Sequence, residues 1–251
     1  MDKAIIDLLY KMADDELILG HRNSEWTGLG PIIEEDIAFS SMAQDKLGHA
    51  QALYHILHSQ YGQAHPDKVA FGRKEKQFKC CQLVEYPIGE YDFSLVRHFF
   101  FDHAEYWRYQ MLTESTHEGL RNLAKKITGE LRYHLMHADT FIKKLGQANE
   151  ESYARIQSAL NEVFPLALGI FEESEFEKTL IKQGIFKGEK ALKEKWMESI
   201  APVLEQGNLS LPDIDSVSAA HGGRNGYHTE HLTPLLEEMT EVYIMDPAAE
   251  W

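Results

Sequence analysis

The chain has 251 residues, 43% hydrophobic and 26% charged, enough for one large domain with a sizeable core and too apolar for disorder. A formal net charge of −15 argues against nucleic acid or an anionic membrane as the main partner. The opening Met1–Lys11 carries acids and lacks an apolar core, unlike a secretory leader, and no apolar run is long enough to span a bilayer.

The first predicted helix runs from Asp2 to Trp26 and ends before Gly28, Gly30 and Pro31. Pro31 followed by Glu34, Glu35 and Asp36 signals a second start, since proline fits a first turn and acids suit the helix dipole. That helix continues to Tyr61, with Gly62 as the stop. Residues 63–91 break the pattern and hold short helices at most, near Asp67 and Phe78. A link of this length suits a crossover between helix pairs. Its basic residues, Lys68, Arg73, Lys74, Lys76 and Lys79, read as a solvated loop, with an acidic partner or a phosphate as the alternative. The only cysteines, Cys80 and Cys81, are adjacent, which disfavours a disulfide and suits a reducing, cytoplasmic setting.

Asp92 or Ser94 is expected to cap a third helix running to about His117, and a fourth follows from Glu118 to Leu145, stopping at Gly146. Aromatic residues crowd the third (Phe93, Phe99, Phe100, Phe101, Tyr106, Trp107, Tyr109), more than one core stripe requires. The surplus either faces a partner or packs under a fifth helix. That fifth helical region spans 152–183 with a kink at Pro165; a sixth covers 189–206, 207–226 is loop, and a last helix covers 229–245. His228 and His231 share a face, but no third metal ligand has secure spacing, so Thr229 is expected to act as an N-cap. No strand alternation or domain boundary is visible, so one all-α domain over 1–251 is the expectation.

Four of these helices carry an apolar stripe interrupted near its middle. The stripes are Ile5, Leu9, Met12, Glu16, Leu19; Phe39, Met42, Lys46, His49, Leu53, Ile56; Leu95, Phe99, Asp102, Tyr106, Tyr109; and Leu123, Ile127, Leu131, His134, Ala138, Phe141, Leu145. A di-iron carboxylate bundle needs a single acid, a Glu-x-x-His, a second single acid and a second Glu-x-x-His, because two closely spaced irons require several carboxylates to neutralise and bridge them. Glu16, His49, Asp102 and His134 keep that order, while Lys46 and Leu131 stand where the bridging acids belong. The reading is a vestigial di-iron site with no catalytic residue. No metal is expected, and if one binds, Glu16, His49, Asp102 and His134 are its ligands. The Lys46 ammonium is expected to substitute for part of the metal charge. A local register change would bring in Glu130.

At these residues the chain resembles the C subunit of the multicomponent phenylacetyl-CoA ring epoxidase of bacterial phenylacetate degradation. The segments that carry the likeness are 19–26 (LGHRNSEW), Pro31 with 34–38 (EEDIA), 44–50 (QDKLGHA), 132–135 (RYHL), 226–232 (GYHTEHL) and 247–251 (PAAEW). The resemblance implies a ferritin-like helical fold and a structural, non-catalytic role beside a catalytic A subunit that holds the di-iron centre. Some members carry Glu where this chain has Lys46. A homodimer or higher hetero-oligomer is a further expectation for its assembly. The competing readings are an active di-iron or mono-metal oxygenase and an iron-handling bundle; Lys46 and Leu131 separate them.

Overall fold

The computed structural model describes residues 2–247, so the last four residues of the 247–251 segment lie outside the described residues. Among the described residues every regular element is helical: α1 (Asp2–Ser24), α2 (Ile33–Tyr61), α3 (Pro66–Phe71), α4 (Gln82–Glu85), α5 (Tyr91–Leu112), α6 (Glu118–Ala148), α7 (Glu150–Leu168), α8 (Glu177–Lys182), α9 (Glu189–Gln206) and α10 (Leu232–Met245), with short 3-10 turns between some of them. This is the all-α class of the ferritin-like fold, with additional carboxyl-terminal helices. The chain forms two compact units. Among the described residues, one combines Ile6–Pro87 with residues 222–247, and the other is built mainly from Ile88–His221.

In the α1/α2 unit the two long helices run antiparallel, as three contacts fix: Asp14 with Tyr54, Glu16 with His49, and Glu16 with Lys46. Gly62 ends α2 as its composition requires. It takes φ +63, a left-handed conformation that other residues resist, and its N–H returns to the His58 carbonyl. The connection that follows is stitched inward. Arg73 makes two hydrogen bonds to the Asp14 carboxylate (2.5 and 3.0 Å), donates to the Tyr54 hydroxyl, and lies 4.0 Å from the Phe78 ring centroid. Lys79 pairs with Asp7 at 2.6 Å. The expected solvated basic loop is thus partly an internal anchor, because α1 offers acids for it to bind. Arg22, from the LGHRNSEW segment, donates to the carbonyls of Glu85 and His231 and so ties α1 to α4 and the start of α10.

The α5/α6 unit packs α5 against α6, α7 and α9. Phe100 lies 5.9 Å from Phe164 on α7 and 5.5 Å from Trp196 on α9, whose indole N–H donates to the Phe100 carbonyl. This part of the aromatic surplus is core within its own unit. Arg108 forms a buried two-point pair with Glu189, joining α5 to the first turn of α9.

Several boundaries differ from expectation for identifiable reasons. The cap position of α5 is Glu90; Asp92 in its first turn pairs instead with Arg155 on α7, and the Ser94 hydroxyl donates to the Ile88 carbonyl. α5 ends at Leu112, ahead of the His117 imidazole that caps α6 by accepting the Leu120 N–H. α6 passes through Gly146, which has no side chain to obstruct the Gly207 backbone lying against it, and ends where Asn149 caps α7. The fifth helical region breaks into α7, a 3-10 turn at Gly169–Phe171 and α8. The Pro165 carbonyl there accepts the Ala220 N–H, and the Ala220 backbone occupies the space a side chain at 169 would need. Thr229 is not a helix cap: α10 starts at Leu232, and the Thr229 N–H and hydroxyl both donate to Glu85.

Candidate functional site

The first two stripes are buried along their whole length, and the polar residues interrupting them are as buried as their apolar neighbours. Glu16 is 1% exposed, Lys46 0% and His49 3%. Their grouping follows from helix geometry. Positions 46 and 49 lie three apart on α2 and share a face, and the antiparallel pairing brings Glu16 of α1 level with both. Lys46 Nζ stands 3.7 Å from Glu16 Oε2, and His49 Nδ1 stands 3.3 Å from Glu16 Oε1. One carboxylate therefore serves a cation with one oxygen and an imidazole with the other.

The two residues before Glu16 complete the pattern. Successive helical residues point about 100° apart, so the run Asp14-Asp15-Glu16 sends three carboxylates in three directions. Each meets its own cation within the α1/α2 unit. Asp14 takes Arg73 and the Tyr54 hydroxyl; Asp15 takes Arg224 through two bonds of 2.7 Å and the Cys81 N–H; Glu16 takes Lys46. Burial and the neighbouring Asp14 push the Tyr54 phenol well above its ordinary range. Asp14 and Asp15 carry no periodic signal, because they lie off the apolar stripe; only the run of three consecutive acids inside a helix points to them.

In the α5/α6 unit the polar group is Asp102, 0% exposed. His98, one turn earlier on α5, holds Asp102 Oδ2 through Nδ1 at 2.7 Å, while His134 of α6 places Nδ1 3.9 Å from Oδ1. Leu131 is buried one turn before His134 and carries no donor atom. The stripe pattern alone does not select His98, although its i, i+4 spacing to Asp102 is visible in the sequence. A second buried carboxylate, Glu105, lies three residues beyond Asp102. Glu130 is half-buried and Leu131 fills the face, so α6 keeps its regular register there. Its buried face is Leu120, Ala124, Ile127, Leu131, His134, Ala138 and Ile142, whereas Leu123, Phe141 and Leu145 of the expected stripe are only half-buried. The expected stripe matches in its middle and drifts by a residue at its ends.

Each unit therefore contributes one carboxylate and one imidazole from the expected set, and at each missing acid stands a residue without a lone pair to offer: an ammonium in one unit, an isobutyl group in the other. A family model described as "Phenylacetic acid catabolic protein" matches residues 1–251. The chain belongs to this family. It is also similar to the C subunit of the 1,2-phenylacetyl-CoA epoxidase of Escherichia coli (strain K12), with 29% identity over 241 residues that cover 96% of each chain. Among the described residues no helix is long and apolar enough to cross a membrane.

Proposed function

We propose that this chain is the structural, non-catalytic subunit of a multicomponent oxygenase that epoxidises the ring of phenylacetyl-CoA in aerobic phenylacetate degradation, working as a partner of the catalytic A subunit in the cytoplasm. The likeness over nearly the full length to the C subunit of the epoxidase supports membership of such an assembly. The single observation that carries the non-catalytic role is the Lys46–Glu16 pair. A di-iron centre needs bridging carboxylates on two helices, and this donor set does not fit one: the bridging position on α2 holds a cation already engaged with Glu16, and that on α6 holds Leu131. The chain's own residues hold charge in place here, and the oxygen chemistry falls to the di-iron centre of the partner.

A surface for that partner is also on offer. Leu29, Ile32, Ile33 and Ile37 are 63%, 50%, 70% and 63% exposed around the start of α2, an apolar patch unusual in so acidic a chain. The test is co-expression with the catalytic subunit in iron-supplemented medium, separation of the chains, and iron analysis of each. Iron is expected with the catalytic chain and not with this one. Stoichiometric iron pairs here, or oxygen-dependent turnover by this chain alone, would overturn the proposal. Restoring both acids in Lys46→Glu/Leu131→Glu is expected to raise ferrous-iron binding above that of the parent chain.

A further inference from the structure

A second cluster of metal-binding groups lies within the α1/α2 unit, built from Cys80, Glu85 and His228. The thiol, carboxylate and imidazole come from separate places in the chain, and the structure packs them tightly. Cys80 is fully buried, as are the side chains of Glu85 and His228. Cys80 Sγ is 3.7 Å from Glu85 Oε1 and 3.9 Å from His228 Nδ1, and His228 Nδ1 is 2.7 Å from Glu85 Oε1. Three chemically different ligand atoms thus converge on one point.

From these distances and the bonds around them we propose that Cys80, Glu85 and His228 form a binding site for a single thiophilic divalent cation of the zinc type. For a tetrahedral ion with zinc-like bond lengths, sulfur would stand about 3.5 Å from the nitrogen and oxygen ligands, and these about 3.3 Å from each other. Both sulfur distances are within a few tenths of an ångström of that, and the imidazole and carboxylate need to part by about 0.6 Å. The remaining atoms are arranged as a metal site requires. His228 Nε2 lies 3.1 Å from the Phe78 carbonyl, which can only accept, so Nε2 keeps its proton and Nδ1 faces the cluster. The other Glu85 oxygen is fixed by the N–H and hydroxyl of Thr229, both at 2.7 Å. The backbone permits the approach because Gly223 lies against the Cys80 carbonyl, where any side chain would collide.

Charge also balances. Without metal, one proton sits on the thiol and one in the His228–Glu85 hydrogen bond. A divalent cation replaces those two protons and leaves a thiolate, a carboxylate and a neutral imidazole, so the buried cluster stays neutral in both states. The thiol alone is hard to ionise, since burial and the adjacent Glu85 push it well above its ordinary range; a cation reverses the sign of that field. This site is independent of the Glu16 and Asp102 clusters and stands whether or not the chain is part of an epoxidase.

Cobalt(II) is the probe, because only a cobalt–thiolate bond gives the intense near-ultraviolet charge-transfer band, and the Glu16 and Asp102 clusters have no sulfur. Titrating the chelator-treated full chain is expected to produce that band, saturating at one ion per chain and reversed by zinc. With only two cysteines present, Cys81→Ser assigns the sulfur without disturbing Cys80, and the band is expected to survive in it. Cys80→Ser should abolish the band, and His228→Gln should weaken cobalt binding at least tenfold. No charge-transfer band in the parent chain would overturn the proposal. So would loss of the band in a folded Cys81→Ser, or its persistence in Cys80→Ser. Should Cys80→Ser not fold, the parent and Cys81→Ser titrations still decide the matter.

Discussion

The polar clusters of the two units differ in what stands where a bridging acid is expected. Around Glu16 the replacement is Lys46, a buried charge that satisfies a buried charge. Around Asp102 the replacement is Leu131, which packs apolar volume and leaves the carboxylate to the His98 hydrogen bond within α5, with the His134 imidazole of α6 3.9 Å away. An ion pair is costly to break from one side but cheap to delete whole; a packed leucine has no such partner and costs what its cavity costs. The energetics of the two clusters should therefore respond to mutation differently, even though both occupy matching places in their stripes.

The largest effect is expected from Lys46→Met, which leaves the buried Glu16 carboxylate without its ammonium and should lower unfolding free energy by about 3–5 kcal/mol in urea titrations. Adding Glu16→Gln should restore most of that loss; a double variant as unstable as the single would show that Lys46 acts by packing and not by charge. Next comes Leu131→Ala, expected to cost about 2–5 kcal/mol from lost burial and a residual cavity. No loss in the same urea titrations would mean that Leu131 does not act by filling its site. His98→Phe keeps ring volume but removes the 2.7 Å bond to Asp102, and a smaller loss of about 1–3 kcal/mol is expected. No loss would leave Asp102 dependent on other contacts.

The smallest expected effect lies at the α6 cap and concerns pH. Burial and the nearby Arg121 lower the His117 pKa, and its Nδ1 must stay unprotonated to accept the Leu120 N–H. The unfolded chain then binds the proton more readily than the folded one. The cap's contribution should be full above the unfolded value of about 6.5 and decline as pH falls through the lowered folded value. His117→Asn, which caps without titrating, should flatten that part of the stability–pH curve. An unchanged slope would assign the acid sensitivity to another group.

The legibility of the molecule in its sequence follows the same division between charge and packing. The α1 and α2 stripes are readable to the residue, and so is the range of α9, because periodic burial dominates there. Gly62 is readable as a stop because a left-handed residue is needed. Gly146 carries the same signal and means close backbone approach instead, which depends on Gly207 in a distant segment. The partners of Asp14, Asp15 and Glu85 are hidden for the same reason: Arg73, Arg224 and His228 are brought to them only by tertiary structure. His98 is the exception, a local partner available in the sequence and masked by the aromatics of α5.

The Arg224–Asp15 bond spans 209 positions, and the Cys80–His228 contact spans 148. A ribosome releases Asp15 and Cys80 long before their partners. The α1/α2 unit therefore stays unfinished until the residues after His221 are made, with two of its buried polar groups waiting for their partners. The α5/α6 unit, nearly continuous in sequence, has all it needs once His221 has emerged. The α1/α2 unit is begun before the α5/α6 unit and completed after it, which makes the segment that starts at Gly222 a checkpoint: a chain cut before it would carry a finished α5/α6 unit and an α1/α2 unit in which Asp15 and Glu85 lack Arg224 and His228.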